Sequence, residues 1–264
     1  YLGYIDKELI LAQNVDKLFF FRNGVLQNEY DRLFESVFTN PATIKSIVRF
    51  LYTRNSGYTR KEITNKLKLT DGGTLSKNLK ALLASDFVVK YVPFGFSKRE
   101  EHYKLVDPFC LFYLHFVQNR TRKNEIFWQQ NVTAQPIVTW RGYAFENVCF
   151  NHVDQIKKAL GISGIITSSS AWSKKADDKE GLQIDLLIQR NDNVINMCEI
   201  KFYSEDFAVD KDYHMTLERR KRLLREVIPK KSVIHNILIT TYGLKHNEYY
   251  SDFINTVTLD DLFA

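Results

Sequence analysis

The sequence predicts a multidomain chain. A short all-α stretch comes first, then a small α+β module of three helices and a hairpin, then a larger mixed α/β domain. Three observations predict this. At 264 residues the chain exceeds the usual single-domain size. Hydrophobic residues make up 44% and aromatics 14%, enough for more than one core. Apolar residues recur at helical spacing up to the mid-80s, and from about residue 138 the order becomes helix, three strands, helix, strand.

Residues 1–37 read as helical, with apolar clusters such as Leu18-Phe19-Phe20 between polar turns. This piece is too short to bury its own apolar face, so the expectation is the tail of a preceding domain. The chain starts at Tyr1 instead of Met, which fits a fragment of something longer.

Residues 38–106 form the second module. Pro41 suits a helix start, and Ile44, Ile47, Val48 and Leu51 follow at i, i+3, i+4 and i+7. Thr59 predicts the N-cap of a second helix, with Glu62 completing a capping box. Asp71-Gly72-Gly73 predicts a tight turn. A third helix places Leu75, Leu79, Leu82 and Leu83 on one face and Ser76, Lys77 and Lys80 on the other. The strands FVVKYV and EHYKLV then flank a PFGFSKRE tip that carries Lys98 and Arg99. Three helices and a hairpin make the winged helix-turn-helix plan, whose third helix enters the DNA major groove. Lys77, Lys80, Lys98 and Arg99 are the candidate DNA contacts; a solvated face on a protein-interaction module is the other reading of the same pattern.

Residues 107–137 predict an aromatic-rich helical linker that serves packing, with His115 inside it. From 138 to 264 the pattern predicts one long helix over roughly 141–160, stopped by Gly161. A strand IITSSSAW, a charged loop SKKADDKEG, the hairpin QIDLLIQRNDNVINMCEIK, a basic helix and a last strand SVIHNILITTY follow.

Composition narrows the function classes. No apolar run reaches the roughly 18–20 residues of a membrane span, and YLGYIDKELI lacks the basic and apolar regions of a signal peptide. Three widely spaced cysteines, Cys110, Cys149 and Cys198, predict reduced core thiols in a cytoplasmic protein. The net charge of +6 and a pI near 9.0 allow an anionic partner. Between Leu217 and Lys231 seven basic residues against two acidic ones give a local charge of +5. Arg219, Arg220 and Arg222 in this run are candidate phosphate contacts. His152, His214, His235 and His246 match no metal-ligand spacing. Ser168, Ser169 and Ser170 precede no histidine–acid arrangement.

The hairpin carries the chemistry. Closed through Asn191-Asp192-Asn193, it sets Asp185 opposite Glu199 and Gln183 opposite Lys201 on one face, with Ile184, Leu186, Ile188, Cys198 and Ile200 on the other. Two opposed carboxylates repel unless a cation sits between them. Mg²⁺ takes oxygen ligands of this kind together with water and phosphate, and a neighbouring lysine reaches the phosphate. An Asp185–Lys201 ion pair without metal is the plainer reading of the same residues.

Glu146 in GYAFEN, Asp185 in QIDLLI and Glu199-Ile200-Lys201 in CEIK resemble the PD-(D/E)xK nuclease superfamily. The resemblance implies a restriction-endonuclease-like fold. It also implies Mg²⁺ (or Mn²⁺) on Asp185 and Glu199, Lys201 as catalytic lysine, Glu146 as accessory carboxylate and Gln183 flanking the site. Ile184 stands where the superfamily's name has proline. The linear order of YLGYIDKELILAQNVDKLFF, GVLQNEYDRLF, YKLVDPFCLFYLHFV and WRGYAFENVC also resembles a family of archaeal and bacterial AAA-type P-loop ATPases. That resemblance implies a nucleotide-binding domain in the same polypeptide, with residues 1–37 as the end of its lid. No G-x-x-x-x-G-K-[ST] occurs in these residues, so ATP is expected only on the full-length protein. DNA, the P-loop ATPase domain of the same polypeptide and a second copy of the chain are the expected partners, with no membrane. The alternative is an idle nuclease-like fold that binds DNA or protein for the ATPase.

Overall fold

A computed structural model of the chain describes residues 1–118, 124–174 and 182–264, with the backbone alone at Lys98, Ser173, Lys174 and Leu182. It divides into two compact units, Tyr1–Lys90 with Tyr103–Ala144, and Tyr91–His102 with Phe145–Ala264. The fold is mixed α/β: a helical region with a small antiparallel sheet, then a five-stranded mixed sheet with helices. Among the described residues no helix is long and apolar enough to cross a membrane.

In the first unit α1 (Leu11–Val15) runs into a wider turn at Asp16–Phe20, followed by α2 (Glu29–Val37) and α3 (Pro41–Tyr52). Next come β1 (Tyr58–Thr59), α4 (Arg60–Leu67), α5 (Gly73–Ala84), β2 (Val88–Tyr91) and β3 (His102–Leu105), with sheet order β1-β3-β2. The capping box forms as predicted: the Glu62 N–H donates to Thr59 Oγ1 at 3.2 Å and the Thr59 N–H to Glu62 Oε2 at 2.7 Å. The left-handed residue before α5 is Lys68 (φ 51°), which closes α4, while Gly72 stays extended. Ile47, Val48, Ile63 and Leu82 are fully buried, each worth about 1.5–3 kcal/mol in apolar burial.

The apolar residues of 1–37 are covered only in part: Leu2, Ile5, Ile10 and Leu11 are exposed. Tyr30 and Phe34 are fully buried in the same core as α3, α4 and α5. Phe20 packs with Phe112 and Trp128, which lie on α6 (Pro108–Phe112) and α7 (Phe127–Asn131). The expectation of an uncovered apolar face therefore holds for the first residues and not for Phe20, Tyr30 and Phe34, because helical periodicity shows that a face exists and not what meets it. His115, expected in the core, is exposed, with Nδ1 on the Tyr52 hydroxyl at 2.8 Å.

In the second unit the predicted long helix is two: α8 (Gln135–Asn151), which begins in the first unit, and α9 (Val153–Ala159). The break falls at His152, whose Nδ1 folds back onto the Val148 carbonyl at 2.7 Å. The sheet follows as β4 (Thr167–Lys174), β5 (Leu182–Arg190), β6 (Val194–Lys201), α10 (Lys211–Arg225), β7 (Val233–Thr240) and β8 (Asn255–Val257). β4, β5 and β6 pair antiparallel; β7 joins β6, and β8 joins β7, in parallel. Strand β8 had no counterpart in the sequence reading, since three residues are too few for alternation to register. Most of the predicted charged loop 173–181 lies outside the described residues. Both sheet faces are covered: Leu186, Ile188, Cys198 and Ile200 pack with Phe145 and Cys149 of α8, and Ile184, Leu187 and Met197 pack with Leu217 and Leu224 of α10.

Candidate active site

The β5–β6 hairpin sets the site. Its loop closes with Asn193 at φ 66°, a left-handed conformation that asparagine tolerates. The predicted register is observed from Gln189↔Ile195 to Leu186↔Cys198. It does not extend as regular rungs to Asp185 and Glu199. On its other side β5 is bulged: Ser170 pairs with Leu187 but Trp172 with Ile184, so Asp185 and Leu186 together face Ala171. The extra residue breaks the alternation, which corrects the predicted faces: Ile184 packs on the α10 side and Leu186 on the α8 side.

The bulge puts Asp185 where the two faces meet. Its Oδ2 accepts the Ile200 N–H and its Oδ1 the Gln183 side-chain amide, both at 3.4 Å. Burial and then the charge of Glu199 hold its carboxyl above the ordinary range, against the opposing pull of Lys201, the Ile200 N–H and Arg220. On the α8 side the Cys149 thiol is raised well above its usual value by burial, by Cys198, and by the charges of Glu146 and Asp185. Glu146 sits one helical turn before Cys149, within reach of the same region. All three cysteines are free and buried. Burial raises the Cys149 and Cys198 thiols and so disfavours the reactive thiolate at both.

Glu199 is fully buried beneath α10. Its Oε2 accepts the Tyr213 hydroxyl at 2.9 Å and pairs with the Arg220 guanidinium. Oε1 is buried without a hydrogen-bond partner. Burial raises the Tyr213 phenol, and the neighbouring Glu199 raises it further. Burial alone would lower Arg220, but Glu199 outweighs it and holds the guanidinium charged. Lys201 is half-buried, with Nζ 5.1 Å from the centre of the Tyr213 ring.

Glu146, Asp185, Glu199 and Lys201 thus lie in one region of the second unit, with Gln183 exposed at its edge. Among the described residues, no group of three or more His, Cys, Asp or Glu is placed to hold a metal. Oε1 of Glu199 is a buried carboxylate oxygen without a hydrogen-bond partner, of the donor class that a hard cation takes, and Asp185 feels its charge.

The basic run divides. Arg220, expected as a phosphate contact, turns inward to Glu199, because it shares the buried stripe Tyr213, Leu217 and Leu224. Arg225 donates to the Ser232 carbonyl at 2.6 Å, and Lys221 pairs with Glu218 at 2.7 Å. Arg219 and Arg222 line a groove of about 560 Å³ with His214, Met215, Thr216 and Glu218. His214 there meets Asp252 at 2.7 Å and stacks on Tyr249. In the first unit Lys77 and Lys80 are exposed on α5, and Arg99 is exposed within Tyr91–His102 of the second. The side chain of Lys98 lies outside the described residues.

Tyr213 and the bulge escaped the sequence reading. A tyrosine on an amphipathic helix reads as core, and a bulge depends on pairing that no local pattern reports. Arg220 did leave a signal, a charge on an apolar stripe.

No protein-family model and no curated protein matches the chain. Among solved structures it is similar to one described as "Crystal Structure of Protein of Unknown Function AF1548", at 13% identity and a TM-score of 0.30. The match covers 44% of this chain and 64% of that one, so the chain spans less than two thirds of that protein. A likeness this loose assigns no family.

Proposed function

We propose that the second unit is a metal-dependent phosphodiesterase of the PD-(D/E)xK kind that cuts DNA. The observation that carries this reading is the Asp185 carboxylate accepting the Ile200 N–H, between Glu199 and Lys201 on the neighbouring strand, and feeling both charges. A sheet interior tolerates two carboxylates and two cations poorly unless they act together. On this reading Asp185 and Glu199 would hold Mg²⁺ or Mn²⁺, and the ion would supply Lewis acidity toward the phosphate and the attacking water. Lys201, steadied over the Tyr213 ring, offers its ammonium to the negative charge that develops on the phosphate oxygens. Gln183 steadies Asp185 through its amide, and Glu146 supplies a further acceptor from α8. The oxygen of a water molecule bonds to phosphorus as that water gives up a proton, the P–O ester bond breaks, and the leaving oxygen takes up a proton in turn.

The three-helix and hairpin arrangement of residues 41–105 supports a winged-helix module, with Lys77 and Lys80 on the exposed face of α5 as phosphate contacts. ATP has no place in the reading of these residues, which contain no phosphate-binding loop motif.

One observation favours a second reading, an idle nuclease-like fold that binds DNA or protein. Glu199 is fully buried and already neutralised by Arg220. The test is cleavage of labelled single-stranded, duplex and branched DNA in Mg²⁺ or Mn²⁺ against EDTA. Metal-dependent cutting lost in both Asp185→Ala and Lys201→Ala is the expected result. DNA that is bound and never cut selects the idle fold.

A further inference from the structure

The nuclease reading leaves one residue pair without a role. Arg220 and Tyr213 come from α10 and converge on a single oxygen of Glu199, whose other oxygen is buried and bonded to nothing. Among the eight buried side-chain polar atoms without a partner in the described residues, it is the one that belongs to a carboxylate. Arg220 is no surface cation here, since it lies on the buried stripe of the helix between Leu217 and Leu224. A guanidinium in that position cannot follow a DNA backbone along the outer face, where Arg219 and Arg222 stand.

We propose that Arg220 and Tyr213 are positioning residues for the metal ligand Glu199. This deepens the nuclease reading and rests on it. Two donors fixed on Oε2 remove the freedom of the carboxylate to rotate, and they leave Oε1 as its one open acceptor. The positive charge of Arg220 keeps that carboxylate tolerable at zero exposure, so it stays available as a ligand. Orientation by a second donor layer is worth roughly 10–100-fold in metal affinity where it has been removed from other metal sites. The same arrangement separates two places on one basic helix: Arg220 serves the metal ligand, while Arg219 and Arg222 line the outer groove.

The experiment is a Mn²⁺ titration followed by electron paramagnetic resonance on the 264-residue chain as wild type, R220Q, R220K and Y213F. DNA-cleavage kinetics run in parallel, and circular dichroism in EDTA checks folding. The expected result is Mn²⁺ affinity at least tenfold weaker in R220Q and at least threefold weaker in Y213F. R220K, which keeps the charge, recovers to within about threefold of wild type. In both weakened variants kcat falls while KM for DNA holds. A folded R220Q that binds Mn²⁺ like wild type overturns the proposal, as does a rise in KM with kcat unchanged, which makes Arg220 a DNA contact. If R220Q does not fold, Y213F decides, and wild-type affinity in folded Y213F overturns it. Wild type that binds no Mn²⁺ removes the nuclease reading and this proposal together. Wild type that binds and cuts while R220Q does so equally removes the proposal alone.

Discussion

The guanidinium of Arg220 pairs with the carboxylate of Glu199, which has no exposure at all. Removing one partner of a buried pair strands the other charge, at a cost of about 3–5 kcal/mol. Arg220→Met is therefore expected to lose about 3 kcal/mol in urea denaturation in EDTA. The double variant with Glu199→Gln recovers a large part of that loss, because neither charge then remains. Losses that simply add would place the two groups apart in solution.

Asp185 gives a prediction of opposite sign. Burial and the Glu199 charge hold its folded carboxyl above its ordinary value. An acid raised on folding binds more protons folded than unfolded, so its contribution to stability falls as pH climbs from its unfolded value through its folded one. At pH 7 without metal, Asp185→Asn is expected to stabilise the chain by about 0.5 kcal/mol. At pH 3 it should change little. Thermal melts in EDTA at the two pH values check this.

Glu62 shows the ordinary case. Partial burial alone would raise its carboxyl, but the Thr59 N–H and hydroxyl and the Arg54 guanidinium outweigh this and lower it. A depressed acid contributes stability above its unfolded pKa and loses it as pH falls through the folded value. Glu62→Gln should therefore cost more at pH 7 than at pH 2, where both states are protonated. Thr59→Ala, which removes the cap itself, should cost about 1 kcal/mol in chemical denaturation.

Gly57 has φ +70°, and a Cβ there would collide with the Tyr103 carbonyl. Gly57→Ala is expected to lose more than about 1 kcal/mol, since backbone must move to admit a methyl group. Gly95, also at positive φ (+85°) but in open space, should lose less on the same substitution. Comparing the two melts separates collision from conformational strain.

If α5 meets DNA, the Lys77→Glu/Lys80→Glu pair should weaken binding and flatten its salt dependence by about two phosphate contacts. Both side chains are exposed on that helix, so the fold should be unaffected. Fluorescence anisotropy at several salt concentrations reads both effects.

Local signals carried the fold well. Pro41, the Thr59–Glu62 box and the Leu75, Leu79 and Leu82 stripe lie where their chemistry predicts, because caps and amphipathic spacing act over a few residues. The β5–β6 register was equally legible as far as Leu186↔Cys198, since the loop length fixes it. What sequence did not show depends on distant pairing. The bulge at Asp185 exists only relative to Ala171 on β4, and the burial of Glu199 exists only because α10 covers it. Arg220 was legible in principle. At i+3 from Leu217 and i−4 from Leu224 it interrupts an apolar stripe, and a charge in such a place points inward to a partner.

The measurement that bears most directly on the central claim is the stoichiometry of Mn²⁺ on the wild-type chain beside Asp185→Asn. The account predicts a saturable site in wild type that is lost in Asp185→Asn while the variant stays folded. Equal binding by both chains, or none by folded wild type, would contradict it.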